Sequence, residues 1–89
     1  MKRDADWFED RELDLIYIAK KLRDATALEA YLTEAGIDYA VEPDEYQGGV
    51  IFRRTRIGAF FYVLPETRDA AMTALREKGF RLAVPELRG

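Results

Sequence analysis

One phrase is written twice in this chain. Gly36-Ile37-Asp38-Tyr39-Ala40-Val41 is echoed by Gly79-Phe80-Arg81-Leu82-Ala83-Val84, and in each copy a glutamate stands two residues before the glycine, at the end of an amphipathic stretch. Glycine can take the left-handed conformation that ends a helix, and the alternating apolar residues behind it suit a strand. Two units of the same helix-stop-strand design predict a fold with internal pseudo-symmetry.

The rest of the chain supplies the missing elements. Leu13-Asp14-Leu15-Ile16-Tyr17-Ile18-Ala19 is short, apolar and rich in branched and aromatic residues, which predicts a strand buried on both faces. Thr26-Ala27-Leu28-Glu29 has the form of a capping box and predicts the start of a helix, with Leu28, Tyr31, Leu32 and Ala35 on one face and Gly36 as its stop. The second strand is expected from Ile37, and Pro43 suits an edge position because it cannot donate to a ladder. Gly48-Gly49 reads as a two-residue turn pairing Tyr46 with Ile51, Glu45 with Phe52 and Asp44 with Arg53. Ala59 to Leu64 is again apolar on both faces, and a bend or bulge is expected near Thr55 to Gly58. A second helix opens near Thr67, carries Arg68, Ala71, Met72 and Leu75 inward and ends at Gly79; Phe80, Leu82 and Val84 form a last strand.

Strand, helix, strand, strand, helix, strand is the order of a ferredoxin-like α+β sandwich. It has a four-stranded antiparallel sheet of order 4-1-3-2 with two helices on one face. The eighty-nine residues fit one such domain, with residues 1–11 as an acidic leader. The two strands that alternate, the second and fourth, are the expected edges.

That arrangement raises a difficulty. Helices on one face leave the other uncovered. Yet Ile16, Tyr17 and Ile18 together with Phe60, Phe61 and Tyr62 place large apolar groups on both faces of the central strands. A contiguous apolar patch of more than a few hundred Å² is rarely left in water without a use. Three covers are open: the chain's own leader through Trp7 and Phe8, a second copy, or a ligand or other protein. The expected interaction face is therefore Tyr17, Phe60, Tyr62, Trp7 and Phe8.

Composition narrows the chemistry. The chain contains no His, Cys, Ser or Asn, which removes thiol and serine nucleophiles, imidazole acid-base catalysis and His or Cys metal ligation together. No acidic spacing resembles a calcium loop. A non-enzymatic protein with no cofactor and no metal is expected. A net charge of -3 argues against tight, sequence-indifferent binding to nucleic acid. No apolar run is long enough for a membrane span, and Met1 to Glu12 lacks the apolar core of a secretory signal, so a cytoplasmic setting is expected. Arg53, Arg54 and Arg56 form the tight basic cluster. They read either as an anion site or as cross-strand partners of Glu42, Asp44 and Glu45, the pairing being favoured.

Three resemblances follow from short motifs. Tyr62-Val63-Leu64-Pro65-Glu66-Thr67-Arg68-Asp69-Ala70-Ala71, together with Glu34-Ala35-Gly36-Ile37, resembles a small bacterial family described only as signal-transducing proteins of unassigned function. This implies a ferredoxin-like regulatory or protein-interaction module. Ile16-Tyr17-Ile18 and Arg56 with Ala59-Phe60-Phe61 are similar to the first- and third-strand motifs of RNA-recognition domains. That likeness implies single-stranded RNA binding through Tyr17 and Phe60, with Gly58 where an aromatic would stand. Leu28 to Ile37 also looks like part of an amino-acid-binding domain of the ACT type, without the Pro-Gly loop that would hold its ligand. Self-association through the open sheet face, as a homodimer, is the reading carried forward, with RNA binding as its rival.

Overall fold

The computed structural model describes residues 1–48 and 54–80. Within them the fold is α+β, with a three-stranded antiparallel sheet of order β1-β3-β2 and two α-helices. The strands are β1 (Asp14–Ala19), β2 (Ala40–Gly48) and β3 (Arg54–Val63); the helices are α1 (Leu22–Glu34) and α2 (Arg68–Glu77). A 3-10 turn, Ala5–Phe8, lies in the leader, and a second, Pro65–Thr67, leads into α2. The last strand expected over Phe80, Leu82 and Val84 falls, beyond Phe80, outside the described residues.

The doubled phrase closes both helices in the same way. Gly36 and Gly79 have φ of 73° and 85°. The N–H of Gly36 donates to the Thr33 carbonyl and that of Ile37 to the Leu32 carbonyl, both at 3.0 Å; Gly79 to Arg76 and Phe80 to Leu75 repeat the pattern at the same distance. This is the Schellman arrangement, in which the left-handed glycine turns two otherwise unpaired carbonyls into acceptors. Ile37 and Leu32 both lie in the core, and Phe80 packs against the same cluster, which supplies the apolar contact that accompanies such a stop.

Both helices cover one face of the sheet. Leu28 and Leu32 of α1, Ala71, Met72 and Leu75 of α2, and Ile16, Tyr39, Phe61 and Val63 of the sheet side form one buried cluster. The Tyr39 and Phe61 rings stack within it at 5.9 Å. α1 starts at Leu22, four residues before the expected capping box, so Thr26 and Glu29 are interior helical positions. Nothing from Leu22 to Ala25 breaks a helix, and the early start brings Ala25 into the core one turn ahead of Leu28. Ala35, expected on the inward face, is the exposed C-cap. α2 begins at Arg68 after Thr67, as expected, and its buried residues are the expected Ala71, Met72 and Leu75.

Two register expectations are corrected. The β2–β3 ladder pairs Glu42 with Phe60, Asp44 with Gly58, Glu45 with Ile57 and Tyr46 with Arg56, and runs out to Gly48 opposite Arg54. This register is displaced from the one counted outward from Gly48-Gly49, which put Tyr46 opposite Ile51. No irregularity interrupts β3 near Thr55 to Gly58. The bulge is in β1 instead: Leu15 is opposite Tyr62 and Tyr17 opposite Phe61, which leaves Ile16 as an extra residue. β2 starts at Ala40 rather than Ile37, because Ile37 is used in the helix stop and Tyr39 bridges to Lys2 of the leader.

Gly36→Ala and Gly79→Ala should each destabilise the fold by about 1 kcal/mol, the left-handed penalty of a β-carbon. An added Cβ has nothing within 4 Å at either site, so the cost is conformational rather than steric. Urea unfolding of the two single variants measures it, and Asn in place of Ala should restore part of the loss.

Candidate functional site

Residues directly opposite on antiparallel strands share a face. Phe61 and Val63 are wholly buried under the helices, so Phe60 and Tyr62, alternating with them along β3, point to the other side. Their cross-strand partners then place Ile18 and Leu15 of β1 and Glu42 and Ala40 of β2 on that helix-free face, and Asp44 joins them opposite Gly58. Leu15, Ile18, Phe60 and Tyr62 are each half-buried, while Glu42 and Asp44 are exposed. The face is an apolar strip with an acidic margin. The phenol of Tyr62 reports that setting: burial raises its pKa above the ordinary tyrosine value, and the Asp44 and Glu42 carboxylates raise it further.

The leader reaches this face from the edge of the sheet. Lys2 forms a parallel bridge with Tyr39, the Arg3 N–H donates to the Tyr39 carbonyl at 2.8 Å, and the Tyr39 N–H donates to the Met1 carbonyl at 3.0 Å. The Met1 amino group donates to the Ile37 carbonyl, and Arg3 Nε donates to Asp38 Oδ1 at 3.0 Å. From there the chain must pass β3 to enter β1 at Asp14. On the way Phe8 is only 3% exposed, yet it lies outside the cluster that the helices cover, and so does Ala40 at 2%. Burial of these two outside that cluster is what a lid over the opposite face produces. At the far end of the leader, Arg11 makes two guanidinium–carboxylate bonds with Glu66, of 2.6 and 2.7 Å. This pairing holds the Glu66 carboxyl below its usual range. Glu9 and Asp10 between these anchors both have positive φ, of 53° and 63°.

The expected site residues separate accordingly. Phe60 and Tyr62 lie on the helix-free face. Phe8 is buried; Trp7 is 47% exposed, edge-on to Phe8 at 5.0 Å and covered on one side by Arg3, 4.4 Å from its ring centroid. Tyr17 is a correction. The extra residue at Ile16 turns it into the helix layer, where its ring meets Phe80 at 5.4 Å, so Tyr17 and Phe60 do not share a face. Arg53 lies outside the described residues, Arg54 opens β3 and Arg56 is exposed. Arg54 and Arg56 stand opposite Gly48 and Tyr46 in the ladder, rather than opposite Glu42, Asp44 or Glu45. Leu15 and Ile18 were not among the expected site residues; Leu15 joins the open face opposite Tyr62, and the bulge brings Ile18 there in place of Tyr17.

Among the described residues no group of carboxylates is arranged to hold a metal ion, and no helix is long and apolar enough to cross a membrane. Comparison with known proteins adds no family: no family model, curated protein or solved structure matches the chain.

The two faces predict different costs for neighbouring aromatic residues. Phe61→Ala should destabilise by about 3–5 kcal/mol and Phe60→Ala by less than half as much, compared by chemical denaturation. Alkaline pH gives a second check. Tyr17, Tyr39 and Tyr62 all have pKa values raised by burial, so the stability they contribute is present below the unfolded tyrosine value of about 10 and lost as pH rises through their higher folded values. The urea midpoint should fall as pH rises above roughly 10, and Tyr62→Phe should make that fall smaller.

Proposed function

We propose that the chain is a non-enzymatic regulatory or protein-interaction module that self-associates through its helix-free sheet face. The observation that carries this reading is the strip of Leu15, Ile18, Phe60 and Tyr62, which lies on the sheet face away from the helices and keeps part of its apolar surface exposed. Four large, partly exposed side chains held on strands form a surface that a second copy can bury with little conformational cost. The four-stranded ferredoxin-like order 4-1-3-2, the likeness to the bacterial signal-transducing family and a cytoplasmic setting belong to the same reading. The RNA rival is not carried forward. It needs Tyr17 beside Phe60, and Glu42 and Asp44 would meet the phosphates of a strand laid across this face.

Sedimentation equilibrium of the full chain should show a monomer–dimer equilibrium. Phe60→Asp should shift it to monomer while leaving the far-ultraviolet circular dichroism unchanged, because position 60 is only half-buried. A full chain that stays monomeric across the accessible concentration range overturns the reading.

A further inference from the structure

The β2–β3 ladder is longer than its neighbour. β1 follows β3 only as far as Ala59, opposite Ala19, whereas β2 continues alongside it to Arg54. α1 starts at Leu22, three residues after β1 ends, so the hairpin extends past the end of the helix on the core side of the sheet. The gap is a groove of about 380 Å³, within the size range of small-molecule sites. Its floor is apolar, with Ala25 from the helix and Val41 and Ala59 from the sheet. Leu22 and Ile57 form its two lips, 83% and 71% exposed, the most exposed large apolar side chains among the described residues.

The charged side chains that line the groove are all basic, with Glu45 outside it, opposite Ile57. Lys2, Lys20 and Lys21 line it and no Asp or Glu does, although acidic residues outnumber basic ones, 17 to 14, along the chain. Lys2 and Lys21 are exposed and take part in none of the ion pairs among the described residues. Their charge is therefore not neutralised by a neighbour. An apolar slot rimmed by ammonium groups is complementary to a molecule with a greasy body and a negative head.

The geometry points to a binding site for a small amphipathic anion, an acyl or aryl chain bearing one carboxylate or phosphate, seated between Leu22 and Ile57 with its head among Lys2, Lys20 and Lys21. This goes beyond the self-association reading and uses the opposite layer of the sheet, so either can fail without the other.

Titration of the ¹⁵N-labelled full chain with decanoate, decyl phosphate and decanol tests it. Both anions should bind with shifts centred on Leu22 and Ile57, and decanol should bind at least about tenfold more weakly, the loss expected for a charged hydrogen-bond partner. The double variant Lys2→Gln/Lys21→Gln should weaken the two anions by roughly tenfold and leave decanol unchanged. Ile57→Ser, at an exposed position where folding is not at risk, should weaken all three. Equal affinity for decanol and decanoate overturns the proposal, as do shifts centred on Phe60 and Tyr62 instead. Movement of the Leu22 and Ile57 signals on dilution of the protein alone also overturns it, since a second copy would then occupy the groove.

Discussion

A single extra residue in β1 divides the apolar surface of this protein between its two layers. Without Ile16 as a bulge, Tyr17 would point away from the helices and Ile18 toward them, because one step along a strand reverses every side chain. With it, Ile16 and Tyr17 both enter the helix layer: Ile16 packs against Phe61 and the α1 leucines, and Tyr17 meets Phe80. Leu15 and Ile18 are left on the other side with Phe60 and Tyr62. The composition of the core and that of the open face are thus one decision, made at one backbone position.

The leader answers part of what the bulge leaves uncovered. It is held at the β2 edge by main-chain bonds to Tyr39 and at the β1 end by the Arg11–Glu66 pair, with Phe8 buried between these anchors. The charged pair is solvent-exposed and contributes little by itself. Main-chain bonds and the burial of Phe8 carry more of the attachment. At the opposite end of the sheet the inequality is of another kind: the hairpin outruns its covering helix, and exposed Leu22 and Ile57 mark where coverage ends.

Features governed by local backbone chemistry could be read from the residues. Gly36 and Gly79 stop their helices because left-handed φ is a property of glycine itself, and Thr67 precedes α2 for similarly local reasons. Features set by distant partners were hidden. The bulge at Ile16 exists only relative to β3, the β2–β3 register is set by the pairing of the two strands rather than by the Gly48-Gly49 dipeptide, and Thr26 looked like a cap although uninterrupted helix-forming residues precede it. The same limit applied to the site. Phe60, Tyr62, Trp7 and Phe8 were recognisable as aromatic residues lacking an assured core partner, but a strand apolar on both faces does not say which face Tyr17 takes.

The leader also has a consequence in time. Trp7, Phe8 and Arg11 leave the ribosome before the sheet does, and Arg11's partner Glu66 lies 55 residues later. At translation speeds of roughly 5–20 residues per second, that separation is on the order of 3 to 11 s. Throughout that interval the two aromatic side chains have no completed sheet to cover. The segment that packs against the finished sheet thus spends that interval exposed, with Asp4, Asp6, Glu9 and Asp10 beside its two aromatic residues as the charged flanks that oppose aggregation.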